Sequence, residues 1–97
     1  MREVAIVSPV RTPVGKFGGG LRDVPADELG ALVIRELLAR TGLDPERVDD
    51  VVLGQSYPSG EQPAIGRICS LKAGLPIEVP GYQVDRRCAS GLQAILN

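Results

Sequence analysis

The sequence predicts an α/β fold in which a partly parallel sheet lies between layers of helices. Short apolar runs alternate along the chain with longer amphipathic segments, in the order strand, helix, strand, helix, strand, helix. This alternation is typical of three-layer α/β domains. The 97 residues are 43% hydrophobic and 24% charged, close to the averages of soluble globular domains, and their number suits one domain.

The first strand is predicted at residues 4–7, an unbroken apolar run bounded by Glu3 and by Ser8-Pro9. Such a run is typical of a strand covered on both faces. Residues 9–25 contain several prolines and glycines, which predict a long irregular loop. Neither glycine pattern of the nucleotide-binding loops aligns here, so we expect the loop to be structural.

Residues 26–41 are predicted to form an amphipathic helix. Asp27 and Glu28 near its start suit the helix dipole, and Gly42 follows its end. Asp44-Pro45 then predicts a capped helical turn. The apolar stripe that should pack on the sheet consists of Leu29, Leu32, Val33 and Leu37.

Residues 48–56 predict a second strand, and a second helix is expected from Pro63 to about Gly74. Ile65, Ile68 and Cys69 fall on one face of that helix. Because Cys69 lies inside the helix on its apolar face, we interpret it as a small core residue and not as a reactive thiol.

A third short strand at residues 82–85 leads into a turn that contains Cys88, and a helix is predicted to begin at Cys88. The residues that follow are still apolar at Asn97 and carry no helix stop signal. We therefore expect the helix to continue beyond Asn97.

Charge and composition argue against several classes of protein. The formal net charge is −1 without a basic block, so we expect no binding to nucleic acid or to an anionic membrane. The first residues lack the apolar length of a signal peptide, and no segment is long enough to span a membrane, which predicts a soluble cytoplasmic protein. Two cysteines 19 positions apart fit neither a zinc site nor a redox pair, and no metal or bound cofactor is predicted.

Cys88 is the candidate nucleophile. A sulfur at the start of a helix meets unpaired backbone N–H groups that favour the thiolate, and Arg86 and Arg87 would add to this field if they point inward. A helix terminus contributes only about 0.3–2 kcal/mol, so an efficient nucleophile also needs a neighbouring base. The chain contains no histidine. The alternative is that Cys88 is a buried structural thiol.

Three segments resemble the thiolase family, the acetyl-CoA acetyltransferases and 3-ketoacyl-CoA thiolases. They are VAIVSPVRTPVGKFGG at residues 4–19, KAGLP at residues 72–76, and VDRRCASGLQA at residues 84–94, which is similar to the thiolase nucleophile segment. The resemblance covers the whole chain. It implies a three-layer α/β/α thiolase-like fold, of which residues 1–97 would be the amino-terminal part of the N-terminal domain, with the carboxy-terminal half absent.

The resemblance further implies acyl transfer between CoA thioesters, with Cys88 as the nucleophile that carries the acyl group. Its backbone N–H would serve in an oxyanion hole, and Ser90 and Gly91 would pack tightly near the site. The family's catalytic histidine and second cysteine lie outside this span, so we expect the 97 residues alone to be inactive. Thiolases are usually homodimers or homotetramers. Two alternatives stay open: a β-ketoacyl-carrier-protein synthase-like condensing enzyme, and a non-catalytic thiolase-like binding module.

Overall fold

A computed structural model describes residues 2–97, which form three α-helices and a two-stranded parallel sheet. The elements are α1 (Ala26–Thr41), β1 (Val51–Gly54), α2 (Ile65–Lys72), β2 (Gly81–Val84) and α3 (Ser90–Leu96). Two short 3₁₀ turns occupy Pro45–Arg47 and Arg87–Ala89. None of the helices within these residues has the length and apolar character needed to cross a bilayer.

Helix α1 has the limits that its sequence predicts. Gly42 closes it in the left-handed conformation at φ 67°, and its N–H donates to the carbonyl of Leu38. Glycine suits this position because it has no Cβ to clash there. The predicted turn after α1 is also confirmed, since the carboxylate of Asp44 accepts a hydrogen bond from the N–H of Glu46.

The sheet pairs β1 with β2 in parallel, with Val51 opposite Gly81 and Gly54 opposite Val84. The chain passes between the two strands through α2, which contacts both. Gly66 permits this crossing, because a Cβ at that position would lie 2.6 Å from the carbonyl oxygen of Val51 and would also collide with that of Tyr82. The backbone of α2 therefore rests directly on the sheet.

The helices lie on both faces of the sheet. Leu53 faces α1, since its Cδ1 would lie 3.6 Å from a Cβ on Gly30. Gly54 is the next residue along the strand and faces the start of α3. The buried core comprises Val51, Leu75 and Val79, with Ile34 and Leu38 of α1 packed against it. The predicted three-layer α/β arrangement with a partly parallel sheet is thus confirmed.

Residues 4–7 do not form the predicted first strand. Val4, Ile6 and Val7 are 91%, 79% and 68% exposed, and within residues 2–97 the sheet contains only β1 and β2. An apolar groove of about 540 Å³ between α1 and β1 is bordered by Val7 and Ser8, but the run passes it without backbone pairing. The prediction is wrong here because an extended segment becomes a strand only when a neighbouring strand pairs with it.

Two helix starts also differ from prediction. α2 begins at Ile65 and not at Pro63, because Ala64 adopts the left-handed conformation at φ 48° immediately before it. α3 begins at Ser90 and not at Cys88, because Arg87 is left-handed at φ 50° and the 3₁₀ turn intervenes. The loop predicted at residues 9–25 is irregular, as expected, with a few hydrogen-bonded turns such as Gly19 N–H to Lys16 O.

Candidate active site around Cys88

Cys88 lies just beyond the carboxyl end of β2, in the middle of the 3₁₀ turn that joins this strand to α3. Open α/β sheets place their functional sites at the carboxyl ends of parallel strands. The thiol is free and exposed. Within residues 2–97 the Cys88 thiol is thus not buried as that of a small core residue would be.

The backbone of this turn is held by two polar side chains. The carboxylate of Asp85 accepts a hydrogen bond from the N–H of Arg87 at 3.0 Å. The hydroxyl of Ser90 accepts from the N–H of Arg86 at 2.8 Å and donates to the carbonyl of Arg87 at 2.7 Å. Because Ser90 is only 4% exposed, these two bonds replace the water that its hydroxyl would otherwise bind.

The side chain of Arg87 ties the turn to the segment after β1. Its Nη1 donates to the carbonyl of Ser56 at 2.6 Å and to the carboxylate of Asp85 at 3.2 Å. Its guanidinium carbon also lies 5.3 Å from the centre of the Tyr57 ring, within cation–π range. Ser56 completes the link, because its hydroxyl donates to the carbonyl of Arg87 at 2.7 Å.

Arg86 points elsewhere. Its Nη1 donates to the side chain of Gln93 at 2.6 Å, so it lies along α3 at the surface. The hydrogen bonds of the turn within residues 2–97 engage the amides of Arg86, Arg87 and Ala89, and none of them engages the amide of Cys88. That amide thus has no hydrogen-bond partner among the described residues.

Gly54 sets the distance between β1 and the start of α3. A Cβ on Gly54 would lie 2.6 Å from both the carbonyl carbon and the oxygen of Ser90, and 2.8 Å from the nitrogen of Gly91. The tight packing expected of Ser90 is thus present. A Cβ on Gly91 itself would meet nothing within 4 Å among the described residues, so Gly54 is the glycine that this packing requires. The sequence analysis did not identify Gly54 as a packing residue, because the only signal in the sequence is its position at the end of β1.

Cys69 is the opposite kind of thiol. It is fully buried between α1 and α2, where its Sγ donates to the carbonyl of Asp27 at 3.5 Å. Burial raises the pKa of the Cys69 thiol, and the nearby charge of Asp27 adds to this effect. The prediction that Cys69 is a core residue is confirmed.

A cluster of charged side chains beside Cys69, of which Asp27 is buried and Lys72 and Glu28 are partly exposed, links α1 to α2. Lys72 contacts the carboxylate of Asp27 at 2.5 Å and that of Glu28 at 2.8 Å, and Gln62 donates to Asp27 at 2.6 Å. The hydrogen bond from Lys72 lowers the pKa of Asp27, and those same carboxylates raise the pKa of Lys72. The sequence interpretation placed Asp27 only at a helix start, and no local pattern pairs it with Lys72. This cluster joins α1 to α2 by contacts between residues distant in sequence.

Comparison with known proteins defines the class of this fold and site. Residues 4–97 match the family model described as thiolase, N-terminal domain, and the chain belongs to this family.

Individual relatives are acetyl-CoA acetyltransferases. The enzyme of that name from Cupriavidus necator is 47% identical over 96 residues, which cover 99% of this chain and 24% of the relative. That of Pseudomonas aeruginosa is 48% identical over 95 residues, covering 98% of this chain and again 24% of the relative. The crystal structure of the Bacillus anthracis acetyl-CoA acetyltransferase superposes with a TM-score of 0.86 at 41% identity, over 90% of this chain and 22% of that one. The chain thus spans about a quarter of the length of these relatives.

Proposed function

We propose that the protein to which this chain belongs is an acetyl-CoA C-acyltransferase of the thiolase type, with Cys88 as its nucleophile. The observation that carries the proposal is the exposed Cys88 thiol at the carboxyl end of a parallel strand, in a chain of the thiolase family. Relatives of this chain are named for acetyl-CoA, which makes CoA thioesters the proposed substrates and CoA or acyl-CoA the proposed small-molecule partners.

In the first half-reaction the Cys88 sulfur attacks the thioester carbonyl of an acyl-CoA. A bond forms between this sulfur and the acyl carbon, the carbon–sulfur bond to CoA breaks, and the CoA thiolate leaves and takes up a proton. Exchange between two thioesters changes bond energies little, which makes cysteine a suitable carrier. The unengaged N–H of Cys88 would donate to the oxyanion of the tetrahedral intermediate.

In the second half-reaction the α-carbanion of another acyl-CoA attacks the acyl-cysteine. This releases a 3-ketoacyl-CoA and frees the Cys88 sulfur, and the reverse sequence is thiolysis. Both half-reactions need bases, for Cys88 and for the carbon acid. We propose that these are the family's histidine and second cysteine, and that residues 1–97 are the amino-terminal part of a thiolase N-terminal domain.

The proposal extends to fatty acid metabolism, a cytoplasmic location and a homodimer or homotetramer, as the family resemblance implies. Cell fractionation and size-exclusion chromatography of the full-length protein test the last two. A β-ketoacyl synthase is not favoured, because the matching family model is that of thiolases. A non-catalytic binding module is the competing function.

Thiol mapping separates the enzyme from the binding module. Brief treatment of the folded full-length protein with iodoacetamide should label the exposed Cys88 well before the fully buried Cys69. Acetyl-CoA given first should protect Cys88 by acetylating it. Cys88→Ser should abolish acetoacetyl-CoA thiolysis, because an alcohol is a far weaker nucleophile at neutral pH.

Cys69→Ala is the matched control and should retain turnover, at a cost of about 1 kcal/mol in stability. Equal labelling of the two thiols, or full activity in Cys88→Ser, would show that Cys88 is not the nucleophile. A wild-type protein that binds acetyl-CoA without acetylation of Cys88 would establish the binding module.

A further inference from the structure

Arg87, the residue immediately before Cys88, has a backbone conformation that its own side chain does not favour. Its φ of 50° lies in the left-handed region, where the Cβ of an L-residue crowds the following carbonyl. Arginine is not among the residues enriched in that region. Contacts elsewhere in the structure must therefore hold Arg87 in place.

Those contacts join Arg87 to the segment after β1 and to Asp85 within its own turn. Ser56 is bonded to it twice, since the Ser56 hydroxyl donates to the Arg87 carbonyl and the Ser56 carbonyl accepts from Nη1. Asp85 is also bonded to it twice, since its carboxylate accepts from both the N–H and the Nη1 of Arg87. The guanidinium carbon lies over the Tyr57 ring. Backbone and side chain of one residue thus connect the turn after β2 to the segment after β1.

A basic residue at this turn does not by itself make the contacts of Arg87, as the neighbouring Arg86 shows. It carries the same charge one position earlier, but among residues 2–97 its side chain is bonded only to Gln93 of the following helix. Removing the side chain of Arg86 therefore removes one positive charge near Cys88 and leaves the connection between the two segments intact.

We propose that Arg87 is a positioning residue, which holds the left-handed turn that presents the Cys88 thiol and amide. The role in catalysis rests on the function proposed above. The direction of the Cys88 side chain follows from the backbone dihedrals just before it, so a change at Arg87 re-aims sulfur and N–H together. Small misplacements of reacting groups cost up to about a hundredfold in rate.

Three variants of the full-length protein separate position from charge. Arg87→Ala removes the side-chain contacts with Ser56, Asp85 and Tyr57 and keeps an unfavourable φ. Arg87→Gly also removes these side-chain contacts but makes the positive φ easily accessible. Arg86→Ala is the matched control for charge. We expect peptides spanning residues 85–91 to exchange amide hydrogens about tenfold faster in Arg87→Ala than in Arg86→Ala, because local opening becomes easier.

Kinetics give the second readout. We expect kcat for thiolysis to fall about tenfold or more in Arg87→Ala with KM nearly unchanged, and Arg87→Gly to recover part of the loss. Iodoacetamide, a small neutral reagent that needs no aligned carbonyl, should label Cys88 in Arg87→Ala at close to the wild-type rate.

Equal hydrogen exchange in Arg87→Ala and Arg86→Ala would overturn the proposal. So would a labelling rate that falls in step with kcat, since this would mean that Arg87 acts through its charge on the thiol. If instead the proposed function is wrong, acetyl-CoA will not acetylate Cys88 in the wild-type protein. In that case the exchange comparison still decides whether Arg87 holds the turn.

Discussion

The contact between Gly30 of α1 and Cys69 of α2 offers a sharp test of how the two helices pack. A Cβ on Gly30 would lie 2.5 Å from the Cys69 sulfur but 3.5 Å from the Cys69 Cβ, and Cys69 is fully buried. An alanine at position 30 therefore collides with the sulfur alone. If the sulfur is removed, the same methyl group reaches ordinary van der Waals contact.

The expected energies follow from these distances. Gly30→Ala gains about 0.8–1.0 kcal/mol of helix propensity and loses about 1–3 kcal/mol to overpacking, so it should be neutral to destabilising. Cys69→Ala should cost about 1 kcal/mol, as a small core truncation does. In the double variant the new methyl group fills the vacated space, so its stability should return to near that of the parent chain. The coupling energy should thus be about 1–3 kcal/mol.

The assay is urea unfolding of the chain, followed by far-ultraviolet circular dichroism, with a constant concentration of sucrose to favour the folded state. The four proteins of the cycle are the parent, the two single variants and the double variant. A second cycle pairs Gly30→Ala with Cys88→Ala as its matched control. Because Cys88 is exposed and lies on another element, this second cycle should be additive.

Additive effects of Gly30→Ala and Cys69→Ala, within about 0.5 kcal/mol, would refute the packing argument. Coupling of equal size in the control cycle would also refute it, since the effect would then arise from loss of a thiol and not from the contact.

Two further predictions concern charge and backbone approach. The lowered pKa of Asp27 implies a stabilisation that is present above the ordinary carboxyl pKa and is lost as pH falls through the lowered value. The free energy of unfolding should therefore drop in acid, and urea titrations at a series of pH values should show a smaller drop in Asp27→Asn. The same pH dependence in both proteins would show that the Asp27–Lys72 pair is not the source of the drop. Gly54→Ala should destabilise the chain by about 1–3 kcal/mol, because its Cβ meets Ser90 backbone at 2.6 Å. Gly20→Ala, with nothing within 4 Å of its Cβ, should change stability by less than about 0.5 kcal/mol, and equal effects of the two would contradict the close approach.

Local sequence determined the elements whose stabilising groups lie within a few residues of one another. α1 has its predicted limits because an apolar periodicity, acidic residues in the first turn and a left-handed Gly42 all lie within or beside it. The Asp44 cap spans only two residues. The position of Cys88 in a turn between a strand and a helix was predictable for the same reason, since strand, turn and helix follow each other directly.

Only the tertiary structure decided features that depend on residues distant in sequence. The apolar run at residues 4–7 had the pattern of a strand, yet it is exposed because no strand pairs with it within residues 2–97. Arg87 adopts a left-handed conformation through contacts with Ser56 and Tyr57 that no helix signal encodes, and this delays the start of α3 to Ser90. Gly54 likewise matters only because another segment approaches it. Local patterns report the preferences of a segment by itself, whereas pairing and close approach are properties of two segments together.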